Sequence, residues 1–193
     1  MADQGYFYGV LDVYYAKMTQ EDTIDTAAKY AAPKVLGKSI EVTITPAYSE
    51  GKMYASNAVV RQRKKVDTYG VKINVDKVPY DIQKDILGRE VNTDGVQLIK
   101  GTNITPKVAI GFACTLDDGS KELWWMYKGE FAEPTKSAKT DGEKIEYQTP
   151  TLDGVFVRRM NDNALAAVAD TSNAGLGANV ATNWFKSVYG SAA

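Results

Sequence analysis

The sequence predicts a mainly β protein with one or two short helices, of the sandwich or barrel type. Several segments alternate apolar and polar residues with a period of two, which is typical of half-buried strands. An Asp-Gly turn joins two of these segments, and helical periodicity is confined to two short stretches. The 193 residues fit one domain, residues 1–193, and 44% hydrophobic residues allow a sizeable core.

The first clear alternation covers residues 39–45. The apolar side carries Ile40, Val42 and Ile44. The opposite side carries Glu41, Thr43 and Thr45. Residues 71–76 alternate in the same way, so two half-buried strands are expected here. Residues 47–59 between them are expected to form a loop, and this loop holds Tyr48, Met53 and Tyr54 among polar residues.

The first helix is expected over residues 79–88. Pro79 suits the first helical position because its missing N–H would have no partner there. Gly88 can adopt the left-handed conformation that ends a helix. Ile82, Ile86 and Leu87 fall on one face, so this helix needs a sheet to lie on.

A long hairpin is predicted over residues 108–131. In its first strand, large apolar residues alternate with small ones, which lets another layer pack close behind it. The turn contains Asp118 and Gly119, a pair that accepts positive φ. The return strand, residues 122–131, carries aromatic residues on both faces. This pattern indicates a strand covered twice, with a neighbouring subunit as one candidate cover.

The remaining predicted elements lie near the C-terminus. Strands are expected around residues 144–149 and 152–160. A second helix is predicted from an apolar face at i, i+3, i+4 and i+7, with Gly190 as its cap. That face consists of Ala181, Trp184, Phe185 and Val188.

Composition argues against most active-site chemistry. The chain has no histidine, which removes the commonest general base and metal ligand, and its single cysteine excludes an intramolecular disulfide. The acidic residues that could be imagined as acid/base pairs, Asp117 with Asp118, Asp94 and Asp141, lie in predicted turns, where they bond to the backbone. We therefore expect no catalytic residue, cofactor or metal. The single cysteine fits assembly in a reducing cytoplasm. The N-terminus lacks a signal-peptide pattern, and no apolar run is long enough for a membrane span.

Four segments, in this order along the chain, resemble a known family. They are residues 9–19 with the pair Tyr15-Ala16, the segment Met53-Tyr54-Ala55-Ser56-Asn57, the helix ending Asp85-Ile86-Leu87-Gly88, and the segment Asn183-Trp184-Phe185. Together they resemble the major tail protein family of long-tailed, non-contractile bacteriophages, over residues 7–189. Ser56 stands where an acidic residue is commoner in that family.

The resemblance implies the tail tube fold, two packed antiparallel sheets with a flanking helix. It also implies a structural virion protein whose hexameric rings stack into a tube that conducts double-stranded DNA during ejection. The implied partners are further copies of the chain, a tape-measure protein, and tail-completion and tail-tip proteins. Alternatives are a tube protein of a related secretion or contractile system, or a monomeric β-sandwich that binds a ligand.

Two sites follow from these expectations. By resemblance, the loop with Tyr48, Met53 and Tyr54 stacks one ring on the next. DNA carries about one negative charge per 1.7 Å, so a conducting wall is expected to be acidic or neutral. Glu41, Thr43 and Thr45 are therefore predicted to face the lumen. The single basic cluster, Arg61, Arg63, Lys64 and Lys65, is expected to lie away from the channel, as a solvated surface or an ion-pair partner of another subunit.

Overall fold

The computed structural model describes residues 6–55, 57–135 and 149–191. The strands within these residues are β1 (Phe7–Val10), β2 (Val13–Gln20), β3 (Lys29–Tyr30), β4 (Lys34–Gly37), β5 (Ser39–Ala55), β6 (Ala58–Val75), β7 (Glu90–Val91), β8 (Gln97–Leu98), β9 (Val108–Leu116), β10 (Lys121–Phe131), β11 (Thr151–Val157) and β12 (Ala166–Asp170). The helices are α1 (Tyr80–Leu87) and α2 (Val180–Asn183). The predicted mainly β fold with short helices is confirmed. The strand expected at residues 144–149 falls almost entirely outside the described residues.

Ten of these strands form one continuous antiparallel sheet. Its main path runs β3-β2-β9-β10-β11-β6-β5. Strands β9 and β10 are central. The outer edge of β9 pairs with both β2 and β1, and the outer edge of β10 pairs with both β11 and β12. Strand β4 pairs with β2, while β7 and β8 form a separate two-stranded ribbon.

The sheet curves around its main core like a barrel that is not fully closed. Strands that are far apart on the path contribute to the same core, for example Val13 of β2, Ile73 of β6 and Phe156 of β11. Strand β1 also comes into contact with β5, at the far end of the path. Helix α1 buries Ile86 and Leu87 against this core.

The predicted ends of α1 are nearly correct. The helix begins at Tyr80, so Pro79 is its N-cap residue instead of its first helical residue. Gly88 ends the helix in the left-handed region with φ of 67°, and its N–H donates to the Lys84 carbonyl. The predicted apolar face is correct, since Ile86 and Leu87 are buried and Ile82 packs against them.

Strand β10 is covered on both faces by this chain itself. Met126 faces the main core, whereas Leu123, Trp125 and Tyr127 enter a second core that includes Trp184 and Val188. The expectation that a neighbouring subunit covers one face is therefore wrong, because the C-terminal segment does so. Phe131 lies in the main core instead of with Trp125, because a β-bulge between Met126 and Gly129 changes the alternation.

The small-residue face of β9 packs as predicted. The six-membered part of the Trp125 indole lies directly on Gly111, the residue opposite it on β9. Ala109 and Ala113 flank this contact and are buried in the same second core. A large residue on this face of β9 would leave no room for the indole.

The second helix is shorter than predicted: α2 ends at Asn183. The Trp184 carbonyl accepts a hydrogen bond from the Trp125 indole N–H at 2.8 Å. The backbone then continues through bonds of three-residue spacing, such as Lys186 N–H to the Asn183 carbonyl. The apolar pattern still places its main residues correctly, since Trp184 and Val188 are buried.

The expected loop over residues 47–59 is not a loop. It is the outer end of a hairpin in which β5 and β6 pair continuously from Ser39–Val75 to Ala55–Ala58. The polar residues of this segment suggested a loop. In the structure the ladder continues through them, with register shifts at Ala47/Tyr48 and Met53/Tyr54.

A buried ion pair connects three distant parts of the chain. Lys128 of β10 lies 2.7 Å from a carboxylate oxygen of Asp22, and both side chains are almost fully buried. The other Asp22 oxygen accepts a hydrogen bond from the Met160 backbone N–H. Burial alone raises the pKa of Asp22, but these hydrogen bonds bring it below its ordinary value.

We predict that Gly111→Ala strongly destabilises the fold. The added Cβ would lie 2.9 Å from the Trp125 ring, and that ring is held in place by its bond to Trp184. Forcing an extra carbon into a packed core costs about 1–3 kcal/mol. Urea unfolding measures this loss. Gly9→Ala is the matched control because nothing lies within 4 Å of its added Cβ; equal losses in the two variants would contradict the packing described.

We predict that Lys128→Met costs about 3–5 kcal/mol at neutral pH, since it leaves the buried Asp22 carboxylate unpaired. In the wild type the lowered pKa of Asp22 contributes stability above its unfolded pKa, about 3.9, and this contribution is lost as pH falls through the folded value. Without Lys128, burial raises the pKa of Asp22. The variant therefore gains stability relative to wild type as the pH falls and the carboxylate becomes protonated. In urea unfolding, the difference in unfolding free energy between wild type and Lys128→Met should therefore become smaller from pH 7 to pH 4. A difference that does not depend on pH would contradict this prediction. Lys121→Met, on an exposed lysine, is the control.

Candidate functional site

The outer part of the β5–β6 hairpin, residues 47–65, is here named the arm. Every described residue of the arm is exposed, on both faces of the ribbon. An isolated two-stranded hairpin is only marginally stable in water. The arm therefore has no core of its own.

The tip of the arm is apolar. Met53, Tyr54 and Val60 are exposed to 60%, 66% and 62%, and Val59 lies opposite Tyr54. The turn that joins the strands includes Asn57 with φ of 61°. Exposed apolar clusters of this kind mark interaction sites in soluble proteins.

The three residues predicted to stack rings do not form one cluster. Met53 and Tyr54 lie at the tip, whereas Tyr48 lies at the base of the arm, roughly 20 Å away at ~3.3 Å per residue. The Lys64 ammonium sits 4.1 Å from the Tyr48 ring centre. Tyr48 therefore belongs to the base of the arm, and the tip is formed by Met53, Tyr54, Val59 and Val60.

The two faces of the arm differ in charge. On one face Glu50 lies opposite Lys64, and the two form an ion pair at 3.3 Å. The other face carries Arg61, Arg63 and Lys65, opposite Met53, Gly51 and Ser49. These three cations have no ion-pair partner within the described part of the chain. The basic cluster is therefore a stripe of three unpaired cations on one face, with Lys64 on the other.

The residues predicted to line the lumen share one outward face of the sheet. Glu41, Thr43 and Thr45 are exposed on β5, while Val42 and Ile44 pack on the core. Ile40 is exposed instead of buried, because the pairing shifts between Ser39 and Glu41. The face continues across Lys72 of β6, which lies 3.7 Å from Asp153 of β11, and on to Glu130 of β10. Its exposed charged side chains are three carboxylates and one ammonium group, whereas Lys128, opposite Val157 on the same face, is buried in its ion pair with Asp22.

The outer edge of β5 is a further assembly feature. Strand β5 has 17 residues and ends the path of the sheet, so along its length one edge lacks a strand partner within the described residues. A long exposed edge is a template for pairing with another chain. Sequence patterns did not reveal this edge, since alternation predicts strands but not their order in a sheet.

At the opposite end of β6 from the arm lies a cleft of about 1140 Å³. It is bounded by α1, the β7–β8 ribbon and the start of β11. Its exposed apolar residues are Tyr80, Val96 and Ile99. Thr135 and Thr149, which also line it, flank residues outside the described ranges. Sequence reasoning missed the cleft because residues 89–100 show neither the two-residue period of a strand nor the apolar face of a helix.

Little else on the described surface carries chemistry. No group of three or more His, Cys, Asp or Glu side chains that could hold a metal ion occurs in residues 6–55, 57–135 and 149–191. Over the same residues, no helix has the length and apolar character needed to cross a membrane. The Cys114 thiol is half-buried, and burial raises its pKa.

These features define a β protein in which the arm, the outer edge of β5 and the cleft are surfaces suited to self-association. Residues 38–174 match the sequence model of the phage tail tube proteins, from just before β5 to just beyond β12. The match covers more than half of the chain, so this protein belongs to the phage tail tube protein family and is a structural component of the virion tail. The resemblance seen in the sequence is confirmed. A comparison with curated proteins gives no significant match.

Proposed function

We propose that this chain is the repeating subunit of the tail tube. Hexameric rings stack into a tube that surrounds a tape-measure protein during assembly in the host cytoplasm and conducts double-stranded DNA during ejection. Tail-completion and tail-tip proteins bind its two ends. Membership of the tail tube family supports the tube, and the resemblance described above supports the ring size and the partners.

The arm is the observation that carries this proposal. A ribbon of this length with both faces in water gains little from the rest of its own chain. Contacts between unlike surfaces, repeated from copy to copy, build rings or open filaments. An arm that leaves one subunit and packs on another supplies such a contact, and pairing at the β5 edge supplies a second within the ring.

The outward face of β5, β6 and β11 is the proposed wall of the channel. Its carboxylates, Glu41, Glu130 and Asp153, outnumber the single exposed ammonium of Lys72. DNA phosphates are repelled by such a wall instead of being held by it, so DNA can slide. The cationic stripe of Arg61, Arg63 and Lys65 is then directed to a protein partner.

We predict that the purified protein forms tubes, visible by negative-stain microscopy at high concentration or with its tail initiator, and that the arm is essential for them. In the test variant an Asn-Gly turn replaces residues 49–65, since that pair suits a two-residue hairpin turn. The variant should remain folded, with circular dichroism and melting temperature close to wild type, and should form no tubes. Ile24→Ser, which also removes an exposed apolar side chain but lies outside the arm, is the control. Tubes of normal length from the armless variant contradict the role of the arm.

We predict that Glu41→Lys slows DNA ejection without preventing tail assembly. The substitution converts a repelling wall position into a phosphate contact, repeated in every subunit, and such contacts weaken steeply with salt. Ejection rates of variant particles should therefore be lower than wild type at low salt and approach it at high salt. Asp25→Lys makes the same charge change at an exposed residue outside β5, β6 and β11. A tube structure with Arg61, Arg63 and Lys65 lining the channel unpaired would overturn this assignment.

A further inference from the structure

We propose that the tip of the arm docks in the cleft between α1, the β7–β8 ribbon and β11 of a subunit in the adjacent ring. This inference rests on the proposed function, because it assumes that subunits stack. It goes further by naming the receiving surface. The occupant of the cleft is a second copy of this chain.

The first argument is position. Strand β6 begins at the tip of the arm with Ala58 and ends at Val75, and the next three residues, 76–78, line the cleft. Eighteen residues in a strand span up to about 55 Å at ~3.3 Å per residue. Tip and cleft therefore lie at opposite ends of the subunit, and the tip cannot reach the cleft of its own chain. A contact between such surfaces repeats head to tail and builds an open filament.

The second argument is the match between the two surfaces. The tip presents Met53, Tyr54 and Val60 to water, and the cleft presents Tyr80, Val96 and Ile99. At about 1140 Å³ the cleft is larger than most small-molecule pockets, which hold roughly 300–1,000 Å³. It therefore has room for the end of a hairpin. When the tip and the cleft come into contact, the exposed apolar groups of both are removed from water.

The third argument is charge. The arm carries five cations, Lys52, Arg61, Arg63, Lys64 and Lys65, against one carboxylate, Glu50. The residues at the cleft end, 76–100, 133–135 and 149–153, carry seven carboxylates against four cations. Asp81 and Asp94 have no ion-pair partner within the described residues, and neither have Lys77 and Lys84. Asp85 and Asp153 pair with Lys34 and Lys72, which are not in that count. Opposite charge steers two such surfaces together and disfavours contacts between like ends.

The cationic stripe has one other partner of matching charge, the DNA phosphates. The structure favours protein, because the stripe shares the arm with an apolar tip that DNA does not satisfy. A DNA partner predicts that changes in the stripe alter DNA passage and leave tube assembly intact. A protein partner predicts the reverse.

The test uses covalent trapping in the assembled tube. In a Cys114→Ser background, Val60→Cys is combined with Ile99→Cys, and in a second protein Tyr54→Cys is combined with Val96→Cys. All four positions are exposed, so folding should be unaffected. Oxidation, or a short bismaleimide linker, should convert tubes into a ladder of covalent oligomers on a denaturing gel. Each single-cysteine variant, and double variants kept below the assembly concentration, should give no ladder.

The outcomes separate this inference from the proposed function. Normal tubes in which neither pair gives a ladder overturn the docking and leave the tube subunit in place. A wild-type protein that never assembles, even with its initiator, overturns the proposed function itself.

Charge reversal gives a second measurement. Arg61→Glu, Arg63→Glu and Lys65→Glu together should raise the concentration needed for assembly at least tenfold, and Asp81→Lys with Asp94→Lys should restore it in part. Lys121→Glu and Lys186→Glu, on exposed residues elsewhere, are the matched control. Normal assembly of the triple variant with altered DNA ejection overturns the docking in favour of a DNA contact.

Discussion

The packing of Trp125 between Gly111 and the C-terminal segment is the contact on which the rest of the fold depends. The indole is fully buried, lies flat on the glycine of β9, and donates its N–H to the Trp184 carbonyl. Phe185 continues the cover by stacking on Tyr14 at 4.4 Å. This contact joins the end of the chain to its central strand, and the opposite face of the same strand is left free to build the main core.

One consequence concerns the arm. The apolar residues of the two central strands are used on both faces inside the subunit, so the two cores are complete without the arm. The arm then extends the β5–β6 ladder into water, where backbone bonds and cross-strand pairs alone support it. Segments with few buried contacts open locally at low free-energy cost. In the proposed tube, the cost of ordering the arms makes the first contacts between subunits less favourable, whereas later subunits meet a surface that is already ordered.

The sequence predicted the parts of the fold that local patterns control. Period-two alternation located β9 and β10, Asp118 and Gly119 located their turn, and Gly88 located the end of α1. Sequence reasoning failed where distant residues decide the outcome. Helix α2 ends at Asn183, and the Trp184 carbonyl beyond it bonds to Trp125 of a distant strand. A bulge moves Phe131 to the other core. No local pattern signals either event.

The candidate site shows the same division. Tyr48, Met53 and Tyr54 were singled out because large apolar residues in a polar neighbourhood are visible in the sequence, and the structure shows all three exposed. Their separation along a ribbon was not visible, since the segment lacks the burial contrast that makes a strand recognisable. The cleft was missed altogether, because it is formed by residues far apart in the chain, such as Tyr80, Val96 and Leu152.

Charge is where composition and structure differ most. A net charge of −1 suggests a protein without electrostatic character. Folding separates the charges instead: cations collect on the arm, and carboxylates are in excess on the cleft end and on the outward face of β5, β6 and β11. A net charge close to zero lets many copies associate without mutual repulsion. The separation of cations from carboxylates within each subunit makes its two ends different. A tube needs both properties at once, because identical subunits must be brought close and must also be prevented from meeting with like ends.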